Sequence, residues 1–310
     1  MIPLFFFAVT DTIAVEIDFE TVYVHEWGVV EFDAGFPAAS GAKWGYLDDH
    51  GTLAPYTEYE VEAPVVWFHG AQCTGTFTVR VNEGYFTTLL PQPDSLLQEE
   101  GERRASPESF GSQTGIWQDV RLTCVVPENE ESLPIAYDAD GFSWATPFWR
   151  DVPANYVTVP GASYQDRFLY YECTANTLGE YTGDYSDGRI TYGYHGVALV
   201  FQEEDGEAVA RMADVEETVI VHDGALSNSD VLEVICGWSG NRLKSQEIEA
   251  LWKTWEPALR QRCIQLGQDV MMFPLSPWQV ESISTIRFDP DGGNPVEYAR
   301  LFLGLGAVEL

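Results

Sequence analysis

Residues 23–32 read YVHEWGVVEF, placing an imidazole, a carboxylate and an indole on consecutive positions. Histidine and glutamate serve both as acid–base groups and as metal ligands, so the run raises the question of chemistry. Its β-branched and aromatic residues predict a strand, in which neighbouring side chains leave on opposite faces. His25 then shares a face with Tyr23 and Trp27, whereas Glu26 shares the other with Val24 and Gly28. The adjacent pair cannot act as its own dyad, and each residue needs a partner from elsewhere in the fold. A helical H-E-x-x-H zinc motif is absent, because position 29 is Val29. The competing explanation is architectural. Both polar groups would be satisfied by hydrogen bonds, with Trp27 filling the core and Gly28 allowing a bulge or a close backbone approach.

The other histidines are His50, His69, His195 and His222. His69 ends the strand-like run APVVWFHG. If that strand pairs with the first, His25 and His69 approach one another. With Glu26, or with Asp48, they would form a three-ligand site suited to zinc or iron. Asp289, Asp291 and Asn294 offer three oxygen-bearing side chains in one acidic turn, the makings of a calcium loop. The EF-hand pattern fails there, since Gly293 holds position five and Arg300 position twelve, and Asp-Gly is above all a turn dipeptide. Trp44, Tyr46, Trp144 and Trp149 lie in loop-like sequence, where exposed rings would stack on sugars and buried ones would plug the core. Nucleophile motifs are missing. There is no G-x-S-x-G, and Ser40-Gly-Ala-Lys43 matches S-x-x-K without the partner motifs that would give it meaning. Without a P-loop or G-x-G-x-x-G, nucleotide binding is set aside.

The chain has 310 residues, 45% hydrophobic and 14% aromatic, enough for a large core. Its 49 acidic residues against 16 basic ones leave a net charge of −33. Such a surface repels phosphate backbones and anionic lipids, and no basic stripe interrupts it, so nucleic acid is excluded as a partner. Acidity of this kind serves solubility, or the holding of divalent cations. The five cysteines (Cys73, Cys124, Cys173, Cys236 and Cys263) contain no C-x-x-C pair, and their odd number leaves at least one thiol free. The opening MIPLFFFAVTDTIAVE carries an apolar run far shorter than the roughly 20 residues that span a bilayer. It is similar to the core of a secretory signal, or else is a buried first strand. No other stretch is apolar enough for a transmembrane anchor.

Most of the chain reads as strands. GTFTVRVNEGYFTTLL has Phe77, Val79 and Val81 on one face and a turn at Asn82-Glu83-Gly84, a hairpin pattern. Residues 91–115 read as a surface loop. ALVFQEEDGEAVARM forms the clearest hairpin, with Glu203-Glu204-Asp205-Gly206 as its turn. One long helix is expected over 245–267, with a stripe of Ile248, Leu251, Trp252, Trp255, Leu259, Cys263 and Leu266. Ser245 would cap it, Gly267 would stop it, and Pro257 would kink or split it. The segments that follow it, DVMMFPL, STIRF and ARLFLGLGAVEL, read as closing strands.

In order, VHEWGVVEF, APVVWFHG, RFLYYEC, ALVFQEEDGEAVARM and ARLFLGLGAVEL resemble a family of uncharacterised bacterial proteins, mostly exported. That family's signature is Val-His-Glu-Trp-Gly-Thr-Phe-Thr; the His-Glu-Trp-Gly core matches here and the threonines do not. The resemblance implies a β-rich exported protein and carries over no catalytic residue. The expected object is mainly β, two β-sandwich-like blocks with one amphipathic C-terminal helix. Residues 1–20 would be a signal-like or first-strand segment, 21–150 an N-terminal β domain, and 151–310 a C-terminal one. The expected function is a non-enzymatic binding or surface-associated role, periplasmic or extracellular, for a glycan or a divalent cation. The alternative is a metal-dependent hydrolase built on His25, Glu26 and His69.

Overall fold

A computed structural model describes residues 20–32, 45–47, 53–55, 59–99, 111–126, 143–175, 194–216, 218–308 and 310. The first strand, β1 (Val22–Phe32), is followed by the short pair β2 (Gly45–Leu47) and β3 (Leu53–Pro55), and then by β4 (Tyr59–Gly70). Next come β5 (Thr74–Val81), β6 (Phe86–Leu90), β7 (Ser95–Gln98) and β8 (Gln113–Thr123). A one-turn helix, α1 (Thr146–Arg150), leads to β9 (Tyr156–Val159), β10 (Tyr164–Asp166) and β11 (Phe168–Ala175). The hairpin β12 (Gly196–Glu204) and β13 (Glu207–Val215) and the short β14 (Val219–Val221) precede α2 (Asn228–Trp238) and α3 (Ser245–Arg260). The chain closes with β15 (Val270–Pro274), α4 (Pro277–Ile283), β16 (Ser284–Pro290) and β17 (Val296–Ala307).

The strands form two large sheets. One has nine strands in the order β14-β13-β12-β15-β17-β1-β4-β11-β6; the other is β10-β9-β8-β5-β16 with β7 paired to β8. The architecture is the expected mainly β, sandwich-like one with a C-terminal helix. Hydrogen bonding does not divide at residue 150, however. Each sheet takes strands from both sides of that position, so the two blocks are layers in space rather than successive halves of the chain. β1 lies beside β17, the central strand of the larger sheet, running parallel to it and antiparallel to β4.

Period-two alternation makes the nine-stranded sheet the middle of three layers. Val22, Val24, Phe68 and Phe302 face the smaller sheet and pack with Phe77, Trp117 and Phe288. Trp27, Trp67 and Leu301 face the other way and pack with Trp149 and with Leu251 and Trp255 of α3. Each such large apolar side chain contributes roughly 1.5–3 kcal/mol by leaving water. The middle of β1, Val24–Val30, therefore has no solvent face, which is why His25 and Glu26 must find partners inside.

Several local expectations hold. Asp205 and Gly206 both adopt positive φ, the geometry of a two-residue hairpin turn between β12 and β13. The apolar stripe of α3 is buried except for Leu266, and Gly267 stops the helix at a φ of +64°. Pro257 sits inside α3 without ending it; the helix runs on to Arg260 and widens into a π-turn over Gln261–Gln265. The cap is Lys244, one residue before the expected Ser245. Gly28 meets the close approach foreseen for it, since a Cβ there would lie 2.9 Å from Phe302 Cε1.

Other expectations fail for physical reasons. The turn after β5 does not make a hairpin: β5 pairs with β8 and β16, whereas β6 crosses to the other sheet beside β11. Gly84 permits the crossing, because any Cβ there would strike the Thr174 carbonyl at 1.9 Å. The stretch read as a surface loop contributes β7, an added edge on β8. Helix α2 is an element the expected architecture did not include. It is started by a reciprocal Ser227–Asp230 capping box. All five cysteines are free thiols. The proposed signal-like segment lies outside the described residues, apart from Glu20.

Candidate metal centre

The register of β1 against β4 places Tyr23 opposite His69 and His25 opposite Trp67. His25 and His69 are thus diagonal neighbours on one face, within reach of long side chains. Their ring centroids lie 4.7 Å apart, tilted by 58°. The face is the one that α3 covers. Its first turn delivers Glu247, fully buried, between the two imidazoles.

The carboxylate gathers four contacts. His25 Nδ1 lies 2.9 Å from Oε2 and 3.1 Å from Oε1, and His69 Nε2 lies 2.7 Å from Oε1. The Lys244 backbone N–H donates to Oε2 at 2.6 Å, so the same side chain also closes the first turn of α3. Burial alone would push the Glu247 carboxyl up. Hydrogen bonds and charge from His25 and His69 outweigh it and hold the group at about 2. Its position in the first helical turn favours the anion as well.

Lys244 Nζ completes the chain, 2.8 Å from His69 Nδ1 and 3.4 Å from the Pro153 carbonyl. An ammonium can only donate, so His69 Nδ1 accepts and its Nε2–H donates to Glu247. Burial lowers the pKa of His69 against the pull of Glu247, and lowers that of Lys244 against the same carboxylate. His25 Nδ1–H donates to Glu247, and His25 Nε2 has no hydrogen-bond partner among the described residues. His25, His69 and Glu247 are the one group of three or more His, Cys, Asp or Glu side chains, among the described residues, that lie together as metal ligands would. One ligand atom from each falls within 4.8 Å of the others.

Glu26 is not part of this centre. It points to the opposite face of β1, as alternation requires, and meets Arg300 Nε at 2.5 Å and the Tyr171 hydroxyl at 2.7 Å. Arg300 also donates to the Ser284 hydroxyl at 2.8 Å and to its carbonyl at 2.7 Å. Burial opposes the charge on Arg300, but Glu26 more than compensates and its pKa rises; burial and then Glu26 push the Tyr171 hydroxyl well up. This is a buried ion pair between the sheets, with no imidazole in it. The expected set of His25, Glu26 and His69 is therefore corrected in one member, the carboxylate, which comes from α3.

Trp149 is not a stacking platform. Only 2% exposed, it lies on Tyr170 at 5.1 Å, and its Nε1–H donates to Thr254 Oγ1. Trp44, Asp48 and His50 lie outside the described residues. In the acidic turn, Asp289 accepts from Arg287 Nε at 2.8 Å, and Asn294 Nδ2 donates to the Glu20 carbonyl at 2.9 Å. Asp291 uses its backbone N–H to bind the Thr74 carbonyl. Two of the three calcium-loop side chains are thus engaged with protein groups. His195 and His222 are exposed and far from the centre in the sheet order, His222 pairing with Asp214 at 2.8 Å. The residues that sequence reasoning missed are Glu247 and Lys244. Their signal was a glutamate three residues past the cap of the one clear helix.

Fold and site together define a β-sandwich with a helix-capped centre of two histidines and one glutamate. No family model matches the chain, and no curated protein does. Among solved structures, the Mu homology domain of Fcho1 from Danio rerio, with bound Eps15 peptide, aligns over 94% of this chain and 97% of that one. The identity is 8% and the TM-score 0.29, too low to carry any argument.

Proposed function

We propose that this protein binds one divalent transition-metal ion, zinc or iron, through His25, His69 and Glu247, as a non-enzymatic binding protein. The observation that carries this reading is the convergence of three ligand atoms within 4.8 Å, from β1, β4 and α3. Two imidazoles and a carboxylate are borderline ligands that suit zinc or iron better than calcium, which prefers oxygen. Metal–ligand bonds of about 2.0–2.1 Å set neighbouring ligands about 3.3 Å apart. The present contacts of 2.7 and 2.9 Å would open by a few tenths of an ångström as the bridging protons leave. Export to the periplasm or beyond belongs to the same proposal, supported by the apolar N-terminal run, and cell fractionation tests it.

The metal test is direct. Purified protein should carry, or take up from zinc chloride, one equivalent of zinc by elemental analysis and calorimetry. His25→Ala and His69→Ala should each lose it while keeping the β-rich circular dichroism spectrum. Folded wild-type protein that takes up neither zinc nor ferrous iron would overturn the reading. One observation favours a second reading, a metal-dependent hydrolase: three protein ligands leave a fourth position open, as catalytic zinc sites do. Zinc-dependent turnover of a chromogenic ester, lost in His25→Ala, would establish it.

A further inference from the structure

We infer that Lys244 opposes metal binding at this centre: together with Glu247 its ammonium holds His69 in the tautomer that cannot bind metal, and it faces the nitrogen that must carry the proton once metal binds, so occupancy requires that Lys244 let go. The inference rests on the metal reading above. The Lys244 ammonium lies 2.8 Å from His69 Nδ1 and can only donate, which leaves the lone pair on Nδ1 and the proton on Nε2. Nε2 is the nitrogen that faces Glu247 at 2.7 Å, the nitrogen a shared ion would need. A metal on Nε2 moves the proton to Nδ1, and a metal-bound histidine then wants an acceptor on that side. The ammonium offers none and adds a positive charge next to the incoming cation. Lys244 must turn away, and the Pro153 carbonyl, 3.4 Å from Nζ, is the acceptor available to it. Because Lys244 also caps α3 through its backbone, its side chain is held at this spot by the same helix end that presents Glu247. The lock and the ligand arrive together.

The test compares the full chain with Lys244→Gln, whose amide oxygen can accept from His69 Nδ1–H, and with Lys244→Arg, which remains a donor. Zinc chloride titrated by calorimetry at fixed pH should bind Lys244→Gln about tenfold more tightly than wild type, the scale of a second ligand-orienting contact. Lys244→Arg should bind no more tightly than wild type. If Lys244→Gln binds one zinc with unchanged or weaker affinity, the inference falls and the metal reading stands. If neither folded protein binds zinc or ferrous iron, the metal reading falls and takes this inference with it. Should Lys244→Gln fail to fold, nitrogen-15 spectra of metal-free wild type decide. A proton on His69 Nε2 is expected, and one on Nδ1 overturns the lock.

Discussion

Glu247 performs two tasks with one carboxylate, closing the first turn of α3 and accepting hydrogen bonds from two buried histidines. A buried anion is tolerable only with such partners, and the cost of removing them is larger than the worth of any one contact. The consequence for acid stability has a definite sign. The folded carboxyl is held at about 2, below its ordinary 4.5, so the unfolded chain takes up the proton first as pH falls. The stabilisation is complete above 4.5 and drains away as pH approaches 2. His69, held below its ordinary 6.5 chiefly by burial, acts in the same sense from a higher pH. Glu247→Gln should cost about 1–3 kcal/mol at pH 7 in urea unfolding. The gap to wild type should narrow between pH 4.5 and pH 2. Equal gaps at pH 3 and pH 7 would show that Glu247 is not ionised in the fold.

At the scale of elements, β1 is held by what its two faces touch. On one side Trp27 packs against Trp67 and Trp149; on the other, Glu26 pairs with Arg300 of the parallel neighbour β17. Breaking a buried pair of that kind strands a charge, so the register of β1 against β17 is strongly specified. Gly28 is the third constraint. It lies opposite Phe302, and the fully buried ring leaves no room for a methyl group. Gly28→Ala should destabilise the fold by about 1–3 kcal/mol through overpacking. Chemical denaturation checks this, and a neutral or stabilised Gly28→Ala would mean that the ring can yield.

The whole molecule carries a formal charge of −33 around an aromatic-rich interior. Like charges on a compact surface repel, and salt screens them over about 10 Å at 0.1 M. Raising potassium chloride from roughly 0.01 M to 0.5 M should therefore raise the melting temperature by several degrees. A flat or falling curve over that range would place the excess carboxylates too far apart to matter. The three-layer packing also explains the burial of the centre: a helix laid over the middle sheet shields both histidines from solvent.

How much of this was legible beforehand follows from the range over which each signal acts. Alternation is a property of neighbouring residues, so the divergence of His25 and Glu26 and the strand class of most segments followed from sequence. The apolar stripe of α3, its stop at Gly267 and the turn at Asp205-Gly206 are likewise local. The approach of His25 to His69 needed only the pairing of two strands. What the tertiary structure alone decided was which carboxylate joins them. Glu247 is separated from His25 by 222 positions, and nothing local says which sheet a helix will cover or which turn it will bring to the imidazoles. The same holds for the strand after Gly84, which leaves one sheet for the other. A local pattern states which face of an element is apolar; only the docking of elements states what that face meets.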